Sequence, residues 1–443
     1  MARETQTTLR NDMIYCVFVR NYSEAGTFAA VTADLQRIKD LGTDILWLLP
    51  INPIGEVNRK GTLGSPYAIK DYRGINPEYG TLADFQALTD KAHALGMKVM
   101  LDIVYNHTSP DSVLATTHPE WFYHDESGAL TNKVGDWSDV KDLDYGHHDL
   151  WQYQIDTLLY WTQFVDGFRC DVAPLVPLDF WLEARRQVNA AHPGTLWLAE
   201  SSGSGFIEEL RGQGYVGLSD SELYQAFDMT YDYDVFSDYQ AYCQGATTVE
   251  RYVDLLKRQD ATFPANYVKM RFLENHDNER MMSYLHSEPE AINHLTWTFL
   301  QRGIAQVYNG QEFLAEHHPS LFDKDVIVND RHGDVTRLIQ RLAKIKQLPV
   351  MRAAAYDLAV VENGVIRVTY RSADGSGDAL VAWVPLRGQV TAVHSDLTAG
   401  TYQNLLTDAD VAVNDGQLAV NGQPVIIKYH VDAAPTQVAD QSN

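Results

Sequence analysis

Between residues 14 and 308 the chain repeats one pattern, a short run apolar at nearly every position followed by an amphipathic stretch. A strand with no polar face must be buried on both sides, as in a parallel sheet, and parallel neighbours need a long crossover, usually a helix. The runs at 14–19, 45–49, 99–104, 167–170, 196–199, 225–228, 270–273 and 305–308 read as strands. Phe28, Val31, Leu35, Ile38 and Leu41 lie three and four apart, one face of a helix that Gly42 ends; Leu82, Phe85, Leu88, Ala92 and Leu95 repeat that spacing up to Gly96. Eight such units predict a (β/α)8 TIM barrel, an α/β fold whose active site lies at the carboxyl ends of its strands. A doubly wound open sheet would show the same alternation, but no Gly-rich phosphate turn follows the first run.

The pattern breaks twice. Residues 107–149 are rich in His, Asp, Trp and Tyr and carry little period, which predicts a small inserted lid domain after the third strand. From residue 353 short alternating strands take over, with Asn363-Gly364, Asp415-Gly416 and Asn421-Gly422, dipeptides that mark hairpins; a C-terminal antiparallel β-sandwich domain is expected over 353–443. The barrel then occupies 1–106 and 150–352. The polar tail after Ala433 reads as unpacked.

Thirty-five Lys and Arg against fifty-nine Asp and Glu leave a net charge of −24. Such a surface repels phosphate backbones and anionic lipids, so neither nucleic acid nor a membrane is expected as a partner. Cys16, Cys170 and Cys243 sit in segments that read as packed interior, and are expected to be buried free thiols. No window reaches the roughly eighteen apolar residues of a membrane span, and no apolar stretch follows a basic start. The expectation is a cytoplasmic protein, monomeric or weakly self-associating.

Polar residues gather where the barrel would place its site. Asp102, Asn106 and His107 close the third strand; Arg169 and Asp171 close the fourth, two apart and therefore on one face; Glu200 closes the fifth, and Asn275, His276 and Asp277 the seventh. Carboxylates crowded together repel, and one has its pKa driven upward. Glycoside hydrolysis uses such a pair: one carboxylate attacks the anomeric carbon while a second, kept protonated, serves the leaving oxygen. Arg169 beside Asp171 holds that aspartate ionised, a charge-assisted contact worth roughly 1.5 to 3 kcal/mol. Asp171 is then the nucleophile. Glu200, flanked by the apolar run 196–199, is the acid/base.

DIVYNHT, GFRCDVAP, WLAES and FLENHD, in that order on those strands, resemble the four short signature regions of the α-amylase family of glycoside hydrolases. SPYAIKDYRGINPEYGTLADF (65–85) and QVYNGQE (306–312) resemble the family's segments after the second strand and at the eighth. The resemblance implies a retaining mechanism on α-glucosidic bonds, with Asp171 as nucleophile, Glu200 as acid/base and Asp277 as the third carboxylate, gripping sugar hydroxyls. It also implies that His107 and His276 bind hydroxyls of the same glucose unit, that Tyr67 stacks on its ring, and that Asp102 and Arg169 organise the site. The substrate implied is a starch-type α-glucan or malto-oligosaccharide, cleaved at α-1,4 bonds.

The chain also departs from the common pattern. Pro174 and Leu175 stand where many α-amylases have Lys and His, residues that help a structural calcium. Asn106 matches one calcium ligand, too few for an ion that prefers six to eight oxygens. No cofactor is required on this reading, no metal ligand set is assigned, and a structural calcium stays open. Val172 after the nucleophile occurs in several subgroups, including some acting on α-1,6 bonds, whereas VKDLD (140–144) looks closer to the motif of true α-amylases than to that of the oligo-1,6-glucosidases. A neopullulanase-like, cyclomaltodextrin-degrading or α-1,6-active enzyme with transglycosylation remains an alternative, as does a catalytically silent carbohydrate-binding paralogue. Of the lid aromatics Trp121, Phe122, Tyr123, Trp137 and Tyr145, one or two are expected to meet sugar and the rest to pack.

Overall fold

The computed structural model describes residues 4–134, 137–327, 330–352, 354–374 and 376–431. Eight parallel strands close into a barrel: β1 (Met13–Val17), β2 (Ile45–Leu48), β3 (Lys98–Ile103), β4 (Gly167–Cys170), β5 (Leu196–Ala199), β6 (Met229–Tyr231), β7 (Val268–Arg271) and β8 (Ile304–Tyr308), each beside its sequence neighbour and β8 beside β1. Helix α1 (Phe28–Asp40) starts where the Thr27 side chain accepts the N–H of Ala30. It ends at Gly42, whose φ of +101° and 2.4 Å clearance to the Ala343 side chain leave no place for a Cβ. In α2 (Leu82–Ala94) Thr81 and Asp84 form a reciprocal capping box. The (β/α)8 expectation is met, and the open sheet is excluded by closure.

Two strands lie elsewhere than the apolar pattern suggests. The sixth is Met229–Tyr231, not 225–228. The helical turn Asp220–Leu223 runs on through hydrogen bonds from the N–H groups of Gln225, Ala226 and Phe227, so those residues are occupied before the strand begins. Phe227 still packs, against Trp181 and Trp197. The seventh strand starts at Val268, because Lys269 and Arg271, which interrupt the apolar run, are buried with partners: Lys269 lies 2.8 Å from Asp234 and 3.1 Å from Asp220, and Arg271 2.6 Å from Asp232.

After β3 the chain makes a long excursion before α3 (His148–Trp161). A two-stranded ribbon, His107–Thr108 against Lys141–Asp142, ties its ends together, and Trp121, Phe122, Leu143 and Tyr145 are buried within it. Beyond the barrel, strands β9 (Ala354–Val360), β10 (Ile366–Ser372), β11 (Asp378–Val384) and β16 (Val425–His430) form one antiparallel sheet. Strands β12 (Ala392–His394), β13 (Gly400–Gln403), β14 (Asp410–Asn414) and β15 (Gln417–Ala419) form another. From Ala379 onward β11 is apolar at every position because both its faces are covered: Val381 and Trp383 meet the second sheet, while Leu380, Ala382 and Val384 join the barrel core. Asp415-Gly416 turns β14 into β15, both residues at positive φ as a type I′ turn requires, and Asn363-Gly364 lies between β9 and β10. Asn421-Gly422 adopts the same positive φ values but passes from β15 in one sheet to β16 in the other, so it is no hairpin. Cys16 and Cys170 are buried free thiols; Cys243, expected to be buried, is only half-buried. The tail after Ala433 lies outside the described residues, and no helix among those described is long and apolar enough to cross a membrane.

Candidate active site

The register of the barrel brings the polar residues to one mouth. Asp102 on β3 pairs across with Arg169 on β4, and the Arg169 side chain, wholly buried, turns its guanidinium to the carboxyl end of the barrel. One terminal nitrogen, Nη1, lies 2.9 Å from Asp102 and 2.8 Å from Asp171; the other, Nη2, lies 3.0 Å from Glu200. Nε donates to the hydroxyl of Tyr231 at 3.0 Å, and Trp47, in the barrel interior, lies 5.5 Å from the same guanidinium. The expected pairing of Arg169 with Asp171 is present, and Glu200 shares it.

Glu200 has a second tie. Its Oε2 accepts the backbone N–H of Val172 at 2.7 Å. Val172 reaches that orientation at φ 35°, ψ 45°, a left-handed conformation that β-branched residues rarely adopt. The backbone after Asp171 is thus held in a strained turn that binds the carboxyl of Glu200.

On the other wall, the hydroxyl of Tyr67 lies 2.5 Å from His276 Nε2 and donates to Asp102 at 3.0 Å, while its ring stacks on His276 at 5.4 Å. His276 is 3.2 Å from Asp277 and itself buried, and His107 Nε2 is 3.9 Å from Asp171. Tyr67, His107, Asp171, Glu200 and Asp277 line one cleft of about 330 Å³; Asp102, Arg169 and His276 stand behind its wall. Glu274, where the family often has Asp, takes no part in the lining. It is buried against Arg280 at 2.6 Å and accepts the Met281 N–H at 2.6 Å, closing the loop that carries Asp277. Replacing Glu274 with Gln leaves Arg280 as an uncompensated buried cation, and we expect a loss of about 3–5 kcal/mol in stability, read by denaturant unfolding.

Arg169 contacts three carboxyls, those of Asp102, Asp171 and Glu200, and Asp277 lines the same cleft, so one guanidinium faces more negative charge than it offsets. Burial raises Glu200 well above the usual carboxylate range; Arg169 opposes that, and Asp171 and Asp277 add to it. Burial also pushes Asp102 up to about 8 against the pull of Arg169, but its carboxyl is sealed from the cleft. Asp277 is raised by burial as well, tempered by the 38% of its side chain that stays exposed. Burial, with Arg169 behind it, holds His276 well below the ordinary imidazole value, which keeps it neutral.

The cleft has further lining outside the four signature regions. Lys60, Ser65, Asp139 and Val140 come from aperiodic loops, and Leu321 and Phe322 follow β8. Two apolar residues in the otherwise polar stretch 316–325 were the available signal for the last pair. Of the five lid aromatics, Trp137 reaches the cleft, with its ring 5.5 Å from that of His107; Trp121, Phe122 and Tyr145 are buried, and Tyr123 meets Tyr215.

Residues 13–120 and 112–345 match the model of the α-amylase catalytic domain, and residues 357–427 that of the bacterial α-amylase C-terminal domain. The chain belongs to the α-amylase family of glycoside hydrolases. An α-amylase from Lactobacillus plantarum of known crystal structure is 80% identical, with a TM-score of 0.94 over 96% of this chain and 100% of that one. A noncanonic maltogenic α-amylase from Thermotoga neapolitana is 33% identical, with a TM-score of 0.84 over 96% of this chain and 100% of that one. The α-amylase MalA of Haloarcula japonica is 26% identical over 93% of this chain but only 61% of its own length, so the chain spans about three fifths of that relative.

In this α-amylase-family chain the position of the family's calcium can be tested through Asn106. Its Oδ1 accepts the ammonium of Lys133 at 2.8 Å, and the same ammonium lies 3.3 Å from the carbonyl of Leu175. Both oxygens of Asp142 are also engaged, one by Asn106 at 3.1 Å and the other by the Lys133 N–H at 2.8 Å. Oxygens already bonded to a cation do not fit a divalent ion that needs six or more of them free.

Proposed function

We propose that this chain hydrolyses α-1,4-glucosidic bonds of starch-type α-glucans and malto-oligosaccharides by double displacement. The observation that carries the reading is that one guanidinium, Arg169, holds Asp171 by one terminal nitrogen and Glu200 by the other, with Asp277 on the same cleft. That tie is compatible with the short carboxyl separation, about 5 to 5.5 Å, on which retention depends. A carboxylate oxygen of Asp171 attacks the anomeric carbon and the glycosidic C–O bond breaks. Glu200 gives its proton to the departing oxygen. Water then attacks the same carbon, Glu200 takes the water's proton, and the bond to Asp171 breaks to restore the carboxylate. Asp277 and His107 bind hydroxyls of the reacting sugar, His276 and Asp102 fix Tyr67, and Trp137 offers a flat ring to a neighbouring unit.

The α-1,4 preference and the starch-type substrate draw on the names of the relatives. The likeness to a maltogenic enzyme favours a second reading, release of maltose rather than longer products. Product profiles on starch, pullulan, cyclodextrin and sucrose test both: mixed malto-oligosaccharides from starch support the first, maltose alone from every α-1,4 substrate the second, and attack confined to α-1,6 bonds overturns them.

A further inference from the structure

Lys133 sits in the excursion after β3, yet its ammonium is directed inward to the barrel. It donates to Asn106 at the end of β3 and to the carbonyl of Leu175 in the turn after Asp171, and it lies 5.2 Å from the ring centre of Tyr123. Its own N–H donates to Asp142 of the ribbon, and Asp142 also accepts one amide hydrogen of Asn106. Asn106 and Asp142 are both buried. One positive and one negative charge therefore cancel inside a closed set of hydrogen bonds that joins the ends of two barrel strands to the excursion.

The same set has a consequence at the cleft. An ammonium only donates, so the Asn106 atom facing Lys133 must be its oxygen, and the NH2 must point the other way. That NH2 has two hydrogens: one goes to Asp142, and the other meets His107 Nδ1 at 3.1 Å. Nδ1 is then the acceptor, and the ring proton of neutral His107 resides on Nε2, the atom 3.9 Å from Asp171 on the cleft.

We propose that Lys133 is a built-in cation that takes the place of a calcium ion between the excursion and the barrel, and that it is a positioning residue which, through Asn106, sets the tautomer of His107. A divalent ion at Asn106 would have to displace the ammonium from both oxygens and lie beside it. A single positive charge carried by the chain and held by two oxygens supplies a cross-link at the same place without metal. The consequence for substrate rests on the proposed function; the cation and the tautomer do not.

The test begins with the native chain. Its thermal midpoint is expected to be the same after dialysis against EDTA and in millimolar calcium, with no calcium heat in calorimetry, and the 15N shifts of His107 should report an unprotonated Nδ1. Lys133→Met should lower the midpoint, give mixed tautomers at His107, and raise KM on malto-oligosaccharides several-fold with a smaller change in kcat; Lys133→Arg should recover much of both losses. A midpoint that EDTA lowers and calcium restores in the native chain overturns the built-in cation, whether or not Lys133→Met folds. Protonated Nδ1 in the native chain, or Lys133→Met with native tautomer and KM, overturns the positioning role. A native chain inert on every α-glucan would instead remove the proposed function, leaving the chelation and tautomer results to stand on their own.

Discussion

Asp171→Asn should reduce kcat on maltoheptaose by at least about 10⁴-fold, or roughly 5.5 kcal/mol of barrel-mouth transition-state stabilisation, in line with the loss when a nucleophile is removed from a pre-organised site. The amide keeps the shape of the carboxyl and its place beside Arg169, 2.8 Å away, but has no charge to offer the anomeric carbon. The binding cleft survives, so KM should move far less than kcat. Stability should not suffer: three carboxyls share a single guanidinium, with Asp277 on the same cleft, and removing one ionisable member relieves repulsion among the rest. Initial rates of reducing-end release and a thermal melt of the same preparation check both parts. A variant that retains turnover within tenfold of the native rate places the nucleophile elsewhere.

How much of this was legible beforehand follows from the kind of signal each residue left. Arg169 and Asp171 could be paired from spacing alone, since residues two apart along extended chain share a face and Asp171 directly follows β4, its N–H still bonded to Ile103 of β3. Glu200 was visible as a carboxyl closing an apolar run. Its bond to the Val172 N–H was not, because it depends on a left-handed backbone at a β-branched residue, which no propensity favours. Tyr67 came from resemblance and not from period. The slip at the sixth strand has a physical cause: Phe227 is as buried as a strand residue, and burial alone does not distinguish a turn packed outside a barrel from a strand within it. At the seventh strand the misleading feature was charge, since Lys269 and Arg271 are tolerated inside only because acids from the segments before and after β6, Asp220, Asp232 and Asp234, meet them. Lys133, Trp137 and Phe322 belong to aperiodic segments, where tertiary contact decides what each side chain faces. Asn421-Gly422 shows the same limit in miniature: the dipeptide dictates two positive φ values, not which sheet the next strand joins.

Glu200→Gln separates the proton-transfer role from the rest of the site. The amide can still accept the Val172 N–H and fill the same space, but it has no proton to transfer, so kcat on malto-oligosaccharides should fall about 10²- to 10⁴-fold. Glucosides with an activated leaving group, which depart without protonation, should form the covalent intermediate at nearly the native rate and accumulate it, since the water step still lacks its base. The pH dependence gives the sign. Burial raises Glu200 well above the ordinary carboxylate range, so on the proposed mechanism the native chain should lose activity on the alkaline side as that proton leaves. With the activated substrate, the variant should lack that alkaline limb. Stability follows the same linkage: a group with a raised folded pKa contributes fully below its unfolded value, about 4.3 for Glu, and loses that contribution as pH rises through the folded value. Gln never ionises, so the variant should melt higher than the native chain at alkaline pH, and the gap should close as pH falls. Native turnover on maltoheptaose, or an alkaline limb that persists unchanged, would assign the proton to another group, with Asp277 on the same cleft the next to substitute.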